Sequence, residues 1–178
     1  MNLVTPIDTV IELTRLNPFD RFPDGRLHVP DDIIAQLQQA TTEQAWGVLR
    51  KHGYNFQVEG GWFQTHPEKI LVGRVVTAMM VPHRPDFHDL VQETGVRDGR
   101  IGGQNSWVID TLQLHDVLVV DLFGKIREGT FVGDNLGTSV RTRTHAGAVI
   151  NGGIRDYQGL VELDDVAFFV KGVDPTPI

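Results

Sequence analysis

Apolar residues recur at helical spacing in Ile7, Val10, Ile11 and Leu13, behind Pro6, and predict a short helix over Pro6–Leu16. Asn17-Pro18 ends it, because a residue ahead of proline is pushed out of the α region. Residues 18–30 carry Pro18, Pro23 and Pro30 with an Asp24-Gly25 turn signal, which predicts an irregular arm. Asp31 to Ala40 reads as a second helix, with Ile33, Ile34 and Leu37 on one face. Thr41 with Gln44 fits a capping box for a third helix starting at Thr41 or Thr42, and Gly53 is placed to close it.

After Gly60-Gly61 the texture changes. Lys69–Val81 is rich in β-branched residues and predicts a strand broken at Pro82. Residues 82–103 lack firm periodicity, apart from a short helix near Asp86–Thr94. Asn105–Leu114 reads as a helix. Three short apolar runs follow, at 117–122 (VLVVDL), 147–150 (GAVI) and 166–170 (VAFFV). They are of the buried parallel-strand kind. A helical stretch, about Asn135–His145, separates the first two, and a turn or short helix the last two. That alternation predicts α/β architecture with a substantial parallel component.

The length of 178 residues favours one domain, and 40% hydrophobic with 22% charged residues is ordinary for a soluble globular chain. No window has about 18 apolar residues free of charge, so no membrane span is expected. No signal peptide is visible. The absence of cysteine excludes disulfides, thiol nucleophiles, Cys-ligated zinc and iron–sulfur clusters, and a cytoplasmic location is expected. The net charge of −7 lowers the expectation of a nucleic-acid partner.

Ligands of α/β sheets sit outside the carboxyl ends of strands. Two such ends carry informative residues here. Gly133-Asp134-Asn135-Leu136-Gly137 leads into a helix, whose free N–H groups and positive dipole end would cradle an anion. The plainer reading is a helix start capped by Asp134. Asn151-Gly152-Gly153-Ile154-Arg155-Asp156 follows the second run. Arg155 offers a fork for a carboxylate, and Asp156 offers hard oxygens for Mg²⁺ or Mn²⁺. The plainer reading is a surface pair beside a glycine turn, and Arg97-Asp98 repeats the dipeptide with no role.

The seven histidines form neither HxH nor HExxH. His83 and His88 are spaced wrongly for one helical face, and His145 lies near the candidate residues in sequence. Ser106 and Ser139 lack a nucleophile-elbow context. Asp121 either supports the candidate acids from behind or is a satisfied strand-end polar group. Arg141 and Arg143 face a substrate, a neighbour or, more simply, solvent. Trp46, Trp62 and Trp107 read as core or interface residues.

Asp134, twenty residues, then Arg155-Asp156 resembles the D-x20-R-D signature of the RraA-like family. LVGRVVTA at 71–78, HDVLVVDLFG at 115–124, GAVINGGIRD at 147–156 and VAFFVKGVDP at 166–175 resemble its core strands, in order. The likeness covers about residues 41–178. It implies a layered β/β/α swivelling-domain fold with a partly parallel sheet, and homotrimers or hexamers with sites at subunit interfaces. It divides the chain into a helix and Pro-rich arm (1–30) and an RraA-like α/β domain (31–178).

The resemblance also implies a divalent-metal-dependent aldolase or decarboxylase acting on a 2-oxo diacid through a pyruvate enolate. Asp156 would hold Mg²⁺ or Mn²⁺, Asp134 would orient a water, and Arg155 would bind substrate. Gly133, Asn135, Leu136 and Gly137 would cradle the pyruvoyl carboxylate. The alternative it implies is a non-catalytic regulator of RNase E activity that binds a ribonuclease or another protein. Family members usually continue beyond the position of Ile178, so a second polypeptide supplying that segment is a further expectation.

Overall fold

A computed structural model describes residues 2–176; Pro177 and Ile178, which belong to the expected domain 31–178, lie outside the described residues. Three helices lead the chain: α1 (Ile7–Leu13), α2 (Asp31–Leu37) and α3 (Thr42–Lys51). α1 and α2 stop before the expected Leu16 and Ala40. Both end in tight i→i−3 turns, Asn17 N–H donating to Thr14 O and Ala40 N–H to Leu37 O. α3 has the expected capping box, Gln44 N–H donating to Thr41 Oγ1 (3.2 Å) and Thr41 N–H to Gln44 Oε1 (2.9 Å).

The remaining elements are β1 (Phe63–Gln64), β2 (Arg74–Met79), α4 (Pro85–Arg97), α5 (Gln104–Ile109), β3 (Asp116–Thr130), α6 (Asp134–Thr144), β4 (Gly147–Ile154), α7 (Tyr157–Val161) and β5 (Ala167–Val173). The sheet order is β1-β5-β4-β3-β2. β2, β3, β4 and β5 run parallel, and β1 is an antiparallel edge on β5. This is the α/β class with a partly parallel central sheet that the apolar runs predict.

The register aligns Leu118 with Ala148, and Ala148 with Phe168, while Val120, Ile150 and Val170 form the next row. These side chains are almost wholly buried and pack with Val140 of α6 and Leu160 of α7 in one core. Parallel strands buried under crossover helices need continuous apolar runs, which is why they stand out in the sequence.

Several boundaries differ from the sequence reading. β2 is shorter than Lys69–Val81, because only residues 74–79 find partners on β3. α5 stops at Ile109 rather than Leu114, where Thr111 and Leu112 N–H groups fold back to Val108 O and Ile109 O. β3 runs eight residues past Leu122. Phe123 (φ 56°) and Gly124 (φ 71°) make a left-handed step there, and the register shifts between Asp121 and Lys125. The polar residues beyond it hide the strand from any alternation count.

The arm is fastened to the sheet by charge. Asp116, wholly buried at the start of β3, accepts Arg26 Nη1 at 2.9 Å and Gln113 N–H at 2.8 Å. Arg74 Nε lies 3.9 Å from its other oxygen. Arg74 Nη1 also donates to Val29 O (2.7 Å) and Asp31 Oδ1 (3.0 Å). Phe22 has the Arg26 and Arg74 guanidiniums each 5.5 Å from its ring centre.

Candidate functional site

β3 and β4 are parallel neighbours, so the helices that follow them start at the same edge of the sheet. Phe131 N–H donates to Gly153 O (2.9 Å) and Arg155 N–H to Val132 O (3.0 Å). These bonds carry the pairing past the strands and lay residues 131–133 directly beside 153–155. Gly133 is the N-cap of α6 and Asp134 its first residue, so the cap is not Asp134 as the plainer reading has it.

Gly133 is required by space. Its φ of −114° suits any residue, but a Cβ there would lie 3.0 Å from Arg155 Cγ and Nε and would collide with Asp156 Oδ2. Gly159 plays the same part for Asp134, whose Cβ would be 2.7 Å from a Cβ at 159. Gly137 serves packing, since a Cβ there would strike Leu160 Cδ2. Asp134, Arg155 and Asp156 are thus gathered on one shelf by three close approaches of α6 and its cap to the 155–160 segment.

Asp156 sits in the left-handed region (φ 54°), which throws its side chain back toward Arg155. Arg155 Nε lies 3.3 Å from Asp156 Oδ2, with the two side chains 29% and 48% exposed. A pair this open exchanges readily with a ligand. Asp134 Oδ1 accepts Asn135 N–H (2.7 Å), and Gly137 N–H donates to Gly133 O (2.8 Å). Of the expected cradle, the Gly133 and Leu136 N–H groups have no acceptor among the described residues.

No three or more His, Cys, Asp or Glu residues among those described are grouped to hold a metal ion. Asp156 and Asp134 are hard oxygen donors, and the missing Cβ of Gly133 gives the Asp156 carboxylate its place. That donor set fits Mg²⁺ or Mn²⁺, which keep several waters and take one or two carboxylates. It does not fit a structural zinc site.

Other candidates fall elsewhere. His145 is the left-handed C-cap of α6, at the far end of the helix from Asp134. Eleven residues at about 1.5 Å rise separate them by roughly 16 Å, so nearness in sequence misleads. Asp121 accepts Phe123 N–H and Asn151 Nδ2 (both 2.8 Å), and so ties β3 to β4 as a satisfied polar group. Arg141 donates to Asp164 O (2.7 Å) and Arg143 to Asp110 Oδ1 (2.7 Å), both on the surface. His83 and His88 touch, with ring centres 4.9 Å apart, because His83 precedes α4 rather than lying on it. Trp107 is core, Trp46 is 38% exposed, and Trp62 lies under Lys171 Nζ at 3.9 Å.

Sequence reasoning missed Asn105, which reads only as a helix start. Its Nδ2 donates to Phe131 O (2.9 Å), two residues before Gly133.

A family model described as RraA-like, Aldolase/RraA, matches residues 32–177. No match was found among curated protein sequences. Three solved structures show the fold. Streptomyces coelicolor RraAS2, described as an unusual member of the RNase ES inhibitor RraA protein family, is 23% identical over 83% of this chain and 67% of its own, with a TM-score of 0.68. The RNA-processing inhibitor RraA from Thermus thermophilis is 20% identical over 78% and 71%, with a TM-score of 0.55. A protein from Geobacillus kaustophilus HTA426 named S-adenosylmethionine: 2-dimethylmenaquinone methyltransferase is 23% identical over 75% and 71%, with a TM-score of 0.51.

Proposed function

The chain belongs to the RraA-like, Aldolase/RraA family, and on that premise we propose that it is a divalent-metal-dependent carbon–carbon lyase. Its substrate is a 2-oxo diacid, cleaved by retro-aldol or decarboxylation chemistry to pyruvate. The observation that carries this reading is the meeting of Asp134, Arg155 and a half-exposed Asp156 around Gly133 at the carboxyl edge of β3 and β4.

Asp156, with Asp134 beside it, would hold Mg²⁺ or Mn²⁺, which supplies Lewis acidity toward the keto oxygen. The chain's own groups do the rest. Arg155 takes the substrate carboxylate on its planar fork. The Leu136 N–H and the positive end of α6 face charge that develops on oxygen. Asp134, held against Gly159, orients a water; in the retro-aldol reaction that water takes the hydroxyl proton as the C–C bond breaks, and in either reaction it delivers a proton to the enolate carbon to give pyruvate. Arg155 is not locked in its pair with Asp156, so substrate can displace one contact with another.

The test is pyruvate release from oxaloacetate and from 4-hydroxy-4-methyl-2-oxoglutarate, with Mg²⁺, with Mn²⁺ and after chelation. Activity that needs the metal and disappears in Asp156→Ala supports the reading. Turnover of neither substrate by metal-loaded protein overturns it. A homotrimer or hexamer and a cytoplasmic location belong to the same proposal. No helix among the described residues is long and apolar enough to cross a membrane.

The names of two structural neighbours favour a second reading, a regulator that binds a ribonuclease. Saturable binding to a ribonuclease, undiminished in Asp156→Ala and without turnover of a 2-oxo acid, selects it.

A further inference from the structure

The strip 131–133 is held on one side by backbone alone, Phe131 N–H to Gly153 O and Arg155 N–H to Val132 O. On its other side it meets the side-chain amide of Asn105, the second residue of α5. We propose that Asn105 is a positioning residue of the candidate site, which sets Gly133 against Arg155 and Asp156 by holding the Phe131 carbonyl.

The amide is oriented at both ends. Asn105 Oδ1 accepts Ser106 N–H at 3.0 Å, so Nδ2 is the atom turned toward Phe131 O, at 2.9 Å. A Cβ at Gly103 would stand 2.9 Å from Asn105 Oδ1, so the glycine before α5 makes room for this placement. Phe131 is wholly buried. Its carbonyl, deprived of this donor, has no water to turn to and must shift to find another partner. The shift passes to Gly133 within two residues, where the separation from Arg155 leaves no slack. Asn105 itself reaches no reacting atom. The bond spans 26 residues of sequence and joins the start of α5 to the approach of α6, while the Arg143–Asp110 pair links the other ends of these helices.

Asn105→Asp tests this, because it keeps the shape but presents an oxygen to the Phe131 carbonyl. Thr111→Ala, which removes an exposed bond to Val108 O just past the same helix, is the control. Amide hydrogen exchange is followed in peptides covering 131–134 and 153–156. N105D speeds exchange in both by about tenfold, the factor one lost hydrogen bond gives. Peptides from β2 and β5 keep wild-type rates, and T111A changes neither segment. Where N105D loses protection throughout, the smaller and uncharged Asn105→Ser is judged by the same peptides. Unchanged exchange in 131–134 and 153–156 overturns the proposal.

The activity arm rests on the lyase reading. There N105D lowers kcat by up to about a hundredfold, the scale of a misplaced catalytic group, and leaves KM near its wild-type value. A rise in KM with kcat held overturns the positioning role. Wild-type protein that releases no pyruvate, while N105D still loosens both segments, defeats the lyase reading and supports the placement of Asn105.

Discussion

Gly133 and Asp156 compete for one space: a Cβ on the first would occupy ground held by the carboxylate of the second. The backbone of Gly133 is ordinary at φ −114°, so alanine meets no conformational penalty there. Gly133→Ala therefore tests the site without testing the fold. The variant is expected to melt within a few degrees of wild type by circular dichroism, since Asp156 is half exposed and can swing outward. Its affinity for Mn²⁺, read by the paramagnetic signal of the free ion, falls at least tenfold, the scale of losing one well-placed ligand or its support.

Gly137→Ala makes the opposite separation. The added methyl drives into Leu160, which is wholly buried between α6 and the sheet. Overpacking of this kind costs about 1–3 kcal/mol, and urea unfolding is expected to show a lower midpoint with an unchanged slope. Mn²⁺ affinity measured well below that midpoint stays within about twofold of wild type, a difference of a few tenths of a kcal/mol.

Asp116 is the hinge of the arm's attachment. Removing one partner of a buried ion pair leaves the others uncompensated, at a cost of about 3–5 kcal/mol. Asp116→Ala is expected to lose up to that much in urea unfolding, because Arg26 then keeps only Asp24, and Arg74 only the exposed Asp31, as carboxylate partner. Arg26→Met, apolar and of similar length, loses less. Equal losses in the two variants would contradict the central place given to Asp116.

Acid acts on the arm through Asp31. Its hydrogen bond from Arg74 holds the carboxyl below the usual carboxylate range. A carboxyl with a depressed folded-state pKa stabilises above its unfolded value, near 4, and loses that contribution as pH falls through the folded value. Asp31→Asn is therefore expected to be less stable than wild type at neutral pH, with the gap closing as the solution is taken below about pH 4. A gap that widens on acidification would reverse the sign and refute the assignment.

The strands at 117–122, 147–150 and 166–170 were legible because each is buried under helices and carries an unbroken apolar run. The glycines at 133, 152 and 153 were legible for a related reason, as breaks at the carboxyl ends of those runs. The signature spacing could be read by resemblance, but only packing shows why its members meet: Gly133 and Gly159 draw Asp134 and Asp156 onto one shelf. What the sequence hid is of three kinds. β1 is two residues long and exists only because β5 offers an edge. The outer half of β3 lies beyond the left-handed step at Phe123, where polarity no longer alternates with the pleat. Asn105 and the His83–His88 contact join segments far apart or differently shaped, and no local periodicity encodes them.

The ion cluster around Asp116 constrains how this chain can change over generations. The family match begins at residue 32, whereas Arg26 and Phe22 lie before it. A descendant that sheds its arm takes Arg26 from the Asp116 carboxylate and leaves Arg74, 3.9 Å away, as the cation beside it. A descendant that first neutralises Asp116 leaves Arg26 with Asp24, 2.8 Å away, as its carboxylate partner. Neither order is free of cost, so Arg26 and Asp116 are expected to be inherited as a pair.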